Sequence, residues 1–164
     1  MITTKTRKNE DELTEIIIKT KARGDDLSDI VMGAAGEVHR LLGPGLPADT
    51  YREALSMELT RAGVPHECGR EVPLRYRGAG LRCPLRCDLV VDGILVVGIS
   101  VLAAHDPDAI VRLQRCLELT SRRIGLSLSF GAIDFREGDH NVLTPHPDTP
   151  TATPLRRPNA SGRD

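Results

Sequence analysis

Asp88 and the hairpin that follows it are the part of this 164-residue sequence that comes nearest to a catalytic site. The stretch Asp88-Leu-Val-Val-Asp-Gly-Ile-Leu-Val-Val-Gly-Ile-Ser100 predicts two strands joined by a tight turn at Asp92-Gly93. Residues two apart on a strand face the same side, so Gly98 and Ser100 share one face. Asp88 could supply the carboxylate oxygens that Mg²⁺ prefers. Because Gly98 and Ser100 carry no charge, a lone carboxylate would make a poor metal site.

Four arginines are candidate contacts around this hairpin. Arg82 and Arg86 precede Asp88 at even spacing on the same predicted strand, and Arg112 and Arg115 lie on a predicted helix. All four could contact nucleic-acid phosphates, and Arg112 could instead form a salt bridge with Asp88. Arginines on solvated faces are the competing interpretation, and the sequence leaves these alternatives open.

Cysteine spacing argues against a zinc site. Cys83 and Cys87 share a strand face, with His66 and Cys68 upstream, but four residues along a strand span roughly 13 Å, too far for one tetrahedral ion. Small buried thiols are the better interpretation, and Cys116 completes the set. Because no secretory signal or membrane span is recognisable, we expect free thiols, a cytoplasmic location and no membrane association.

Composition excludes several classes of function. The formal net charge is −1, which gives no electrostatic case for nucleic acid, a membrane or an acidic partner. The chain has no Trp, two Tyr and two Phe, too few to form a platform on which single-stranded bases could stack. These numbers favour an ordinary globular domain.

Apolar periodicity and turn residues predict an α/β domain with the element order α-α-β-β-β-α-β and a mixed sheet flanked by helices. The domain should span residues 26–143, preceded by a charged arm or frayed helix over 1–25 and followed by a disordered Pro-rich tail over 144–164. Ser28 or Asp29 is the expected N-cap of the first helix, and Asp49 that of the second. The expected helices and strands are helices from that cap to Leu42, from 49 to 61 or 62 and over 106–120, and strands over 66–76, 81–91, 94–102 and 124–130.

This order and several local strings resemble the GxxExxY family, a bacterial branch of the PD-(D/E)XK nuclease superfamily with a restriction-endonuclease-like core. The resemblance covers roughly residues 28–143. The matching strings are Gly33-Ala-Ala-Gly-Glu-Val-His39, Leu42-Gly-Pro-Gly-Leu46, Tyr51-Arg-Glu-Ala-Leu55, Glu58-Leu59, Gly63-Val64, Val72-Pro-Leu-Arg-Tyr-Arg-Gly78, Asp88-Leu-Val-Val91, Leu117-Glu-Leu-Thr120 and Gly125-Leu-Ser-Leu-Ser-Phe-Gly131.

The family's polar site positions are mostly changed in this sequence. Its name motif, Gly-x-x-Glu-x-x-Tyr, is kept at Gly45 and Tyr51, but Ala48 replaces the Glu. The strand carboxylate is kept as Asp88. The Glu-x-Lys pair that the family carries on the next strand is replaced by Gly98 and Ser100, and a Gln on the third helix aligns with Arg112. Asp88 is therefore the one unchanged member of five vestigial site positions.

The resemblance implies that carboxylates would hold Mg²⁺ beside a scissile phosphate, with the Lys assisting the attacking water. With base, ligand and cation lost together, we predict a catalytically inactive nuclease-fold protein without a cofactor. It would act as a binding or interaction module for a protein or nucleic acid. One alternative is a divergent Mg²⁺-dependent nuclease that uses Asp88 and a migrated acid, with Asp49, Asp92, Asp106 and Asp108 as candidates. Another is a structural partner of an active paralogue.

Overall fold

Three helices frame the domain in the computed structural model, which describes residues 3–144. They are α1 (Thr3–Leu42), α2 (Ala48–Arg61) and α3 (Pro107–Thr120), and a short 3₁₀ turn spans Phe135–Glu137. All but the first residue of the predicted C-terminal tail lies outside the described residues. No helix in the part of the chain that the structure describes combines the length and apolar character that a membrane span requires.

A five-stranded mixed sheet forms the centre of the fold. Its strands are β1 (His66–Val72), β4 (Leu85–Val91), β5 (Leu95–Ser100), β6 (Ile124–Ser129) and β7 (Asn141–Leu143), and they lie side by side in that order. A separate hairpin is formed by β2 (Arg75–Tyr76) and β3 (Ala79–Gly80). In the main sheet β5 and β6 are parallel and are connected through α3, whereas the other three neighbouring pairs are antiparallel. This arrangement confirms the predicted α/β class.

Helices cover both faces of the sheet. Alternate strand residues therefore belong to two different apolar clusters, one on each face. On one face α1 and α2 pack through residues such as Val31 and Leu55 against Val97. On the other face α3 packs through Leu113 and Leu117. The strands β4 and β5 are therefore enclosed between helical layers, which is the environment that their nearly continuous apolar runs require.

Both predicted helix N-caps were wrong. α1 runs without a break from the charged N-terminal region, so Ser28 lies inside it and its hydroxyl donates to the carbonyl of Gly24 at 2.8 Å. The N-cap of α2 is Pro47, in extended backbone, whereas Asp49 lies in the first turn. The predicted end of α1 was correct, since Gly43 adopts a φ of +69° just after Leu42.

The strands predicted over residues 66–76 and 81–91 were too long. Instead of one turn at residues 78–80, the chain reverses at Arg77 and Gly78, both with positive φ, and forms the small β2–β3 hairpin. β4 begins only at Leu85, so Arg82 precedes the strand and does not share its face with Asp88 as predicted. The predicted Asp92-Gly93 turn is present between β4 and β5.

Candidate functional site

Asp88 lies where β4 and β5 separate. Their backbone pairing runs from Val91 opposite Leu95 to Leu89 opposite Val97, and it stops there. Beyond this point the Asp88 side chain accepts the N–H of Ile99 through Oδ2 at 2.9 Å. A carboxylate oxygen therefore satisfies a strand donor that would otherwise need a backbone partner.

Arg52 on α2 reaches the second oxygen of this carboxylate. Its Nη1 lies 3.5 Å from Asp88 Oδ1, and its Nη2 lies 2.7 Å from Asp49 Oδ1. The Arg52 side chain is 17% exposed and that of Asp88 is 28% exposed, whereas Asp49 is largely in solvent. The guanidinium thus bridges two carboxylates from different elements.

Burial is the main influence on the ionisation of Asp88. It raises the pKa of the carboxyl above its ordinary value, and the Ile99 N–H and the Arg52 guanidinium offset part of that increase by stabilising the charged form. Arg112 contributes a weaker, longer-range attraction. The carboxylate therefore carries a desolvation cost that its partners only partly compensate.

Gly98 on β5 is covered by Leu113 of α3. A Cβ built on Gly98 would lie 3.5 Å from Cβ of Leu113 and 3.6 Å from its methyl groups. The remaining space is a cavity of about 30 Å³, enough for one or two water molecules. Its lining includes Asp88, Gly98, Ile99, Arg112, Leu113 and Cys116.

Ser100 joins the end of β5 to the start of α3. Its hydroxyl donates to Asp106 Oδ2 at 2.6 Å and accepts the N–H of Leu102 at 3.3 Å. Asp106 is the N-cap of α3 and accepts the N–H of Ala109 at 3.1 Å. The Ser100 hydroxyl holds the pKa of Asp106 below its usual value. Ser100 is therefore a buried structural residue rather than a cation.

Gly45 and Tyr51 also have structural roles. The Tyr51 hydroxyl donates to the carbonyl of Gly43 at 2.6 Å and accepts the N–H of Leu46 at 3.1 Å. Its buried ring stacks on Phe130 with centroids 4.5 Å apart. Gly45 has a φ of +96°, which favours glycine. Together they fix the turn between α1 and α2.

Ala48 is the first residue of α2 and packs against the apolar core. Arg52 lies four residues further along the same helix, so both occupy one helical face. Sequence reasoning missed Arg52, although a cation one turn after Ala48 was a usable signal. The structure thus places a basic side chain, rather than an acidic one, on the α2 face that approaches Asp88.

The four predicted arginines do not converge on Asp88. Arg86 pairs with Glu71 at 3.2 Å, and Arg115 with Glu118 at 2.9 Å. Arg82 is exposed in the loop before β4. Arg112 is exposed at the cavity and forms no ion pair within 4.0 Å among the side chains that the structure describes.

The donor set around Asp88 does not fit a magnesium ion. Its two oxygens face Ile99 N–H and the Arg52 guanidinium, and a cation beside that guanidinium would be repelled. Asp49 pairs with Arg52, Asp106 caps α3, and Asp92 pairs with Arg23, whose Nε lies 2.7 Å away. Asp108 is exposed in the first turn of α3. Across the described residues, no three His, Cys, Asp or Glu side chains cluster closely enough to hold a metal.

The mixed sheet has helices on both faces and an acidic residue where two central strands separate. This architecture is consistent with a restriction-endonuclease-like core. A sequence model of the PD-(D/E)XK nuclease superfamily matches residues 25–142, more than half of the chain. The chain therefore belongs to the PD-(D/E)XK nuclease superfamily. No curated protein and no solved structure matches it significantly.

Proposed function

We propose that this protein is a catalytically inactive nuclease-fold domain of the GxxExxY branch that acts as a binding or interaction module. The observation that carries the proposal is the guanidinium of Arg52 beside Asp88, at 3.5 Å from its Oδ1. An active site of this superfamily would need a divalent cation next to that carboxylate. Here a side-chain cation takes the neighbouring position.

The substitutions at the other site positions support the same proposal. Gly98 supplies no ligand and is covered by Leu113. The Ser100 hydroxyl donates a hydrogen bond to Asp106, the N-cap of α3. Removing a general base alone typically lowers a rate by about 10²–10⁴. Since ligand, base and cation are lost together and act as a unit, we expect no measurable cleavage by the superfamily mechanism.

The charge distribution disfavours nucleic acid as the partner. Two of the four candidate phosphate contacts, Arg86 and Arg115, already pair with glutamates, and the formal net charge of the whole chain is −1. Long-range attraction to a polyanion would therefore be weak. The proposal includes a cytoplasmic location, for which free cysteines are the supporting feature.

Calorimetric titration with Mg²⁺ and with Mn²⁺ tests the loss of the metal site. Wild type, Asp88→Ala and the control Asp29→Ala, which changes an exposed acid of α1, should all give the same negligible binding heat. Binding by wild type and Asp29→Ala that disappears in Asp88→Ala would overturn the proposal in favour of a divergent nuclease.

The kind of partner is tested by gel shift with labelled duplex DNA and RNA at low salt. We expect no shift for wild type. A shift that falls with added salt and is lost in Arg82→Gln/Arg112→Gln would assign the module to nucleic acid instead. Arg86→Gln/Arg115→Gln is the matched control, because it removes the same number of charges from residues that are already paired.

A further inference from the structure

Two of the four cysteines form a buried pair beside the Asp88 cavity. Cys87 on β4 is 0% exposed and Cys116 on α3 is 4% exposed, and both belong to the apolar cluster between α3 and the sheet. Cys116 also lines the cavity, whereas Cys68 and Cys83 are exposed. The fold therefore brings together two thiols that are 29 positions apart in the chain.

The two thiols lie in the same small apolar cluster, one from β4 and one from α3. Each influences the ionisation of the other: the Cys116 side chain lowers the pKa of Cys87, and Cys87, together with burial, raises the pKa of Cys116. Arg70, which lies opposite Cys87 in the β1–β4 ladder, also lowers the pKa of Cys87. The cluster therefore pairs a more acidic thiol with a less acidic one.

We propose that Cys87 and Cys116 form a redox-active dithiol that a small hydroperoxide converts into a disulfide. The cavity of about 30 Å³ is large enough for hydrogen peroxide, which is little larger than water, and Cys116 forms part of its wall. A bulky oxidant would not reach the pair, because neither sulfur is open to the surface.

The chemistry needs only the peroxide. One sulfur attacks a peroxide oxygen, the O–O bond breaks, and a sulfenic acid and water form as the thiol proton is transferred. The second thiol then attacks the sulfenic sulfur, an S–S bond forms, the S–O bond breaks and a second water leaves. The two sulfurs lose two electrons in total, and these reduce the peroxide to two waters. The disulfide would tie α3 covalently to β4 next to Asp88. This proposal does not depend on the absence of nuclease activity.

The test uses Cys68→Ser/Cys83→Ser, which changes the two exposed cysteines and leaves the core intact. The folded variant is treated with hydrogen peroxide, free thiols are alkylated, and the protein is digested with trypsin without reduction. Cleavage after Arg86, Arg112 and Arg115 places the two cysteines in separate peptides. We expect these peptides, 87–112 and 116–122, to appear joined, lighter by two hydrogen atoms, and to separate again on reduction.

The same background carrying Cys116→Ala should yield no joined peptide. Recovery of both peptides in alkylated form, at peroxide concentrations that oxidise Cys68 and Cys83 of the wild type, would overturn the proposal. A cross-link that forms only after the protein has been unfolded in urea would also overturn the proposal, since the native packing of the two cysteines would then not bring about the reaction.

Discussion

Replacing Tyr51 with Phe removes one oxygen atom and keeps the aromatic ring. The hydroxyl makes two hydrogen bonds, donating to Gly43 O at 2.6 Å and accepting from Leu46 N at 3.1 Å. The buried ring would still stack on Phe130. Tyr51→Phe therefore isolates the link between this side chain and the turn that connects α1 to α2.

The expected loss follows from those two bonds. Each hydrogen bond contributes about 0.5–1.5 kcal/mol net, so Tyr51→Phe should lower the free energy of unfolding by about 1–3 kcal/mol. In a domain of this size, 1 kcal/mol corresponds to roughly 2–4 °C in the unfolding temperature. A decrease of about 4–8 °C is therefore expected for a loss of about 2 kcal/mol.

Urea unfolding followed by far-ultraviolet circular dichroism measures the change. The matched control is Tyr76→Phe, because Tyr76 is the other tyrosine in the chain and is 62% exposed. That control should stay within about 0.5 kcal/mol of wild type. If the two variants unfold at the same urea concentration, the argument that the Tyr51 hydroxyl stabilises the α1–α2 turn is refuted.

Four further substitutions test neighbouring roles by urea unfolding. Because burial raises the pKa of Asp88, its charge lowers stability as the pH rises above the ordinary aspartate range. Asp88→Asn should therefore gain roughly 0.5–1 kcal/mol at neutral pH and less in strong acid, and a gain that grows on acidification would contradict this. Ser100→Ala removes the bond to Asp106 and should cost about 1–2 kcal/mol, whereas an unchanged midpoint would deny that role. Gly131→Ala brings a Cβ within 2.2 Å of the Leu102 backbone, just after β5, and should lower the free energy of unfolding by more than about 2 kcal/mol. Its control, Gly33→Ala, meets nothing within 4 Å and should raise the free energy of unfolding by up to about 1 kcal/mol. Equal effects of the two alanines would refute the packing argument.

The layered α/β fold was predictable because its signals are local. The Asp92-Gly93 turn and its flanking apolar runs fixed the β4–β5 hairpin, and Gly43 fixed the end of α1. The third helix was predicted within one residue at its start, where Asp106 caps it. In each case one or two residues with a strong backbone preference decided the boundary.

The errors arose where a polar residue had two possible local uses. Asp49 can cap a helix or pair with a cation three residues on, and the structure shows the second, with Arg52. Ser28 bonds to a carbonyl inside α1 instead of capping it. The N-terminal segment, predicted as a charged arm or a frayed helix, belongs to α1 from Thr3 onward and carries ion pairs such as Glu15 with Lys19, 2.6 Å apart.

The candidate site was only partly predictable, because its decisive contact is not local. Asp88 and the two uncharged residues of β5 could be identified from the strand pattern. The partner of Asp88 was missed, since Arg52 is 36 positions away and α2 approaches through the packing of its buried residues Tyr51, Leu55 and Leu59. Arg112, the partner considered from the sequence, is exposed on a third element.

Tyr51 and Asp88 each satisfy backbone groups near the centre of the fold. The Tyr51 hydroxyl bonds to Gly43 and Leu46 in the α1–α2 turn, and an Asp88 oxygen accepts the N–H of Ile99 where β4 and β5 separate. Removing either set of bonds would cost stability whether or not the protein cleaves anything. At position 98 a longer side chain would have to enter the space beside Leu113. An acceptor oxygen at position 88, which Asn also supplies, is therefore explained by the separated strand pair, and Asp88 by itself carries no weight as evidence for catalysis.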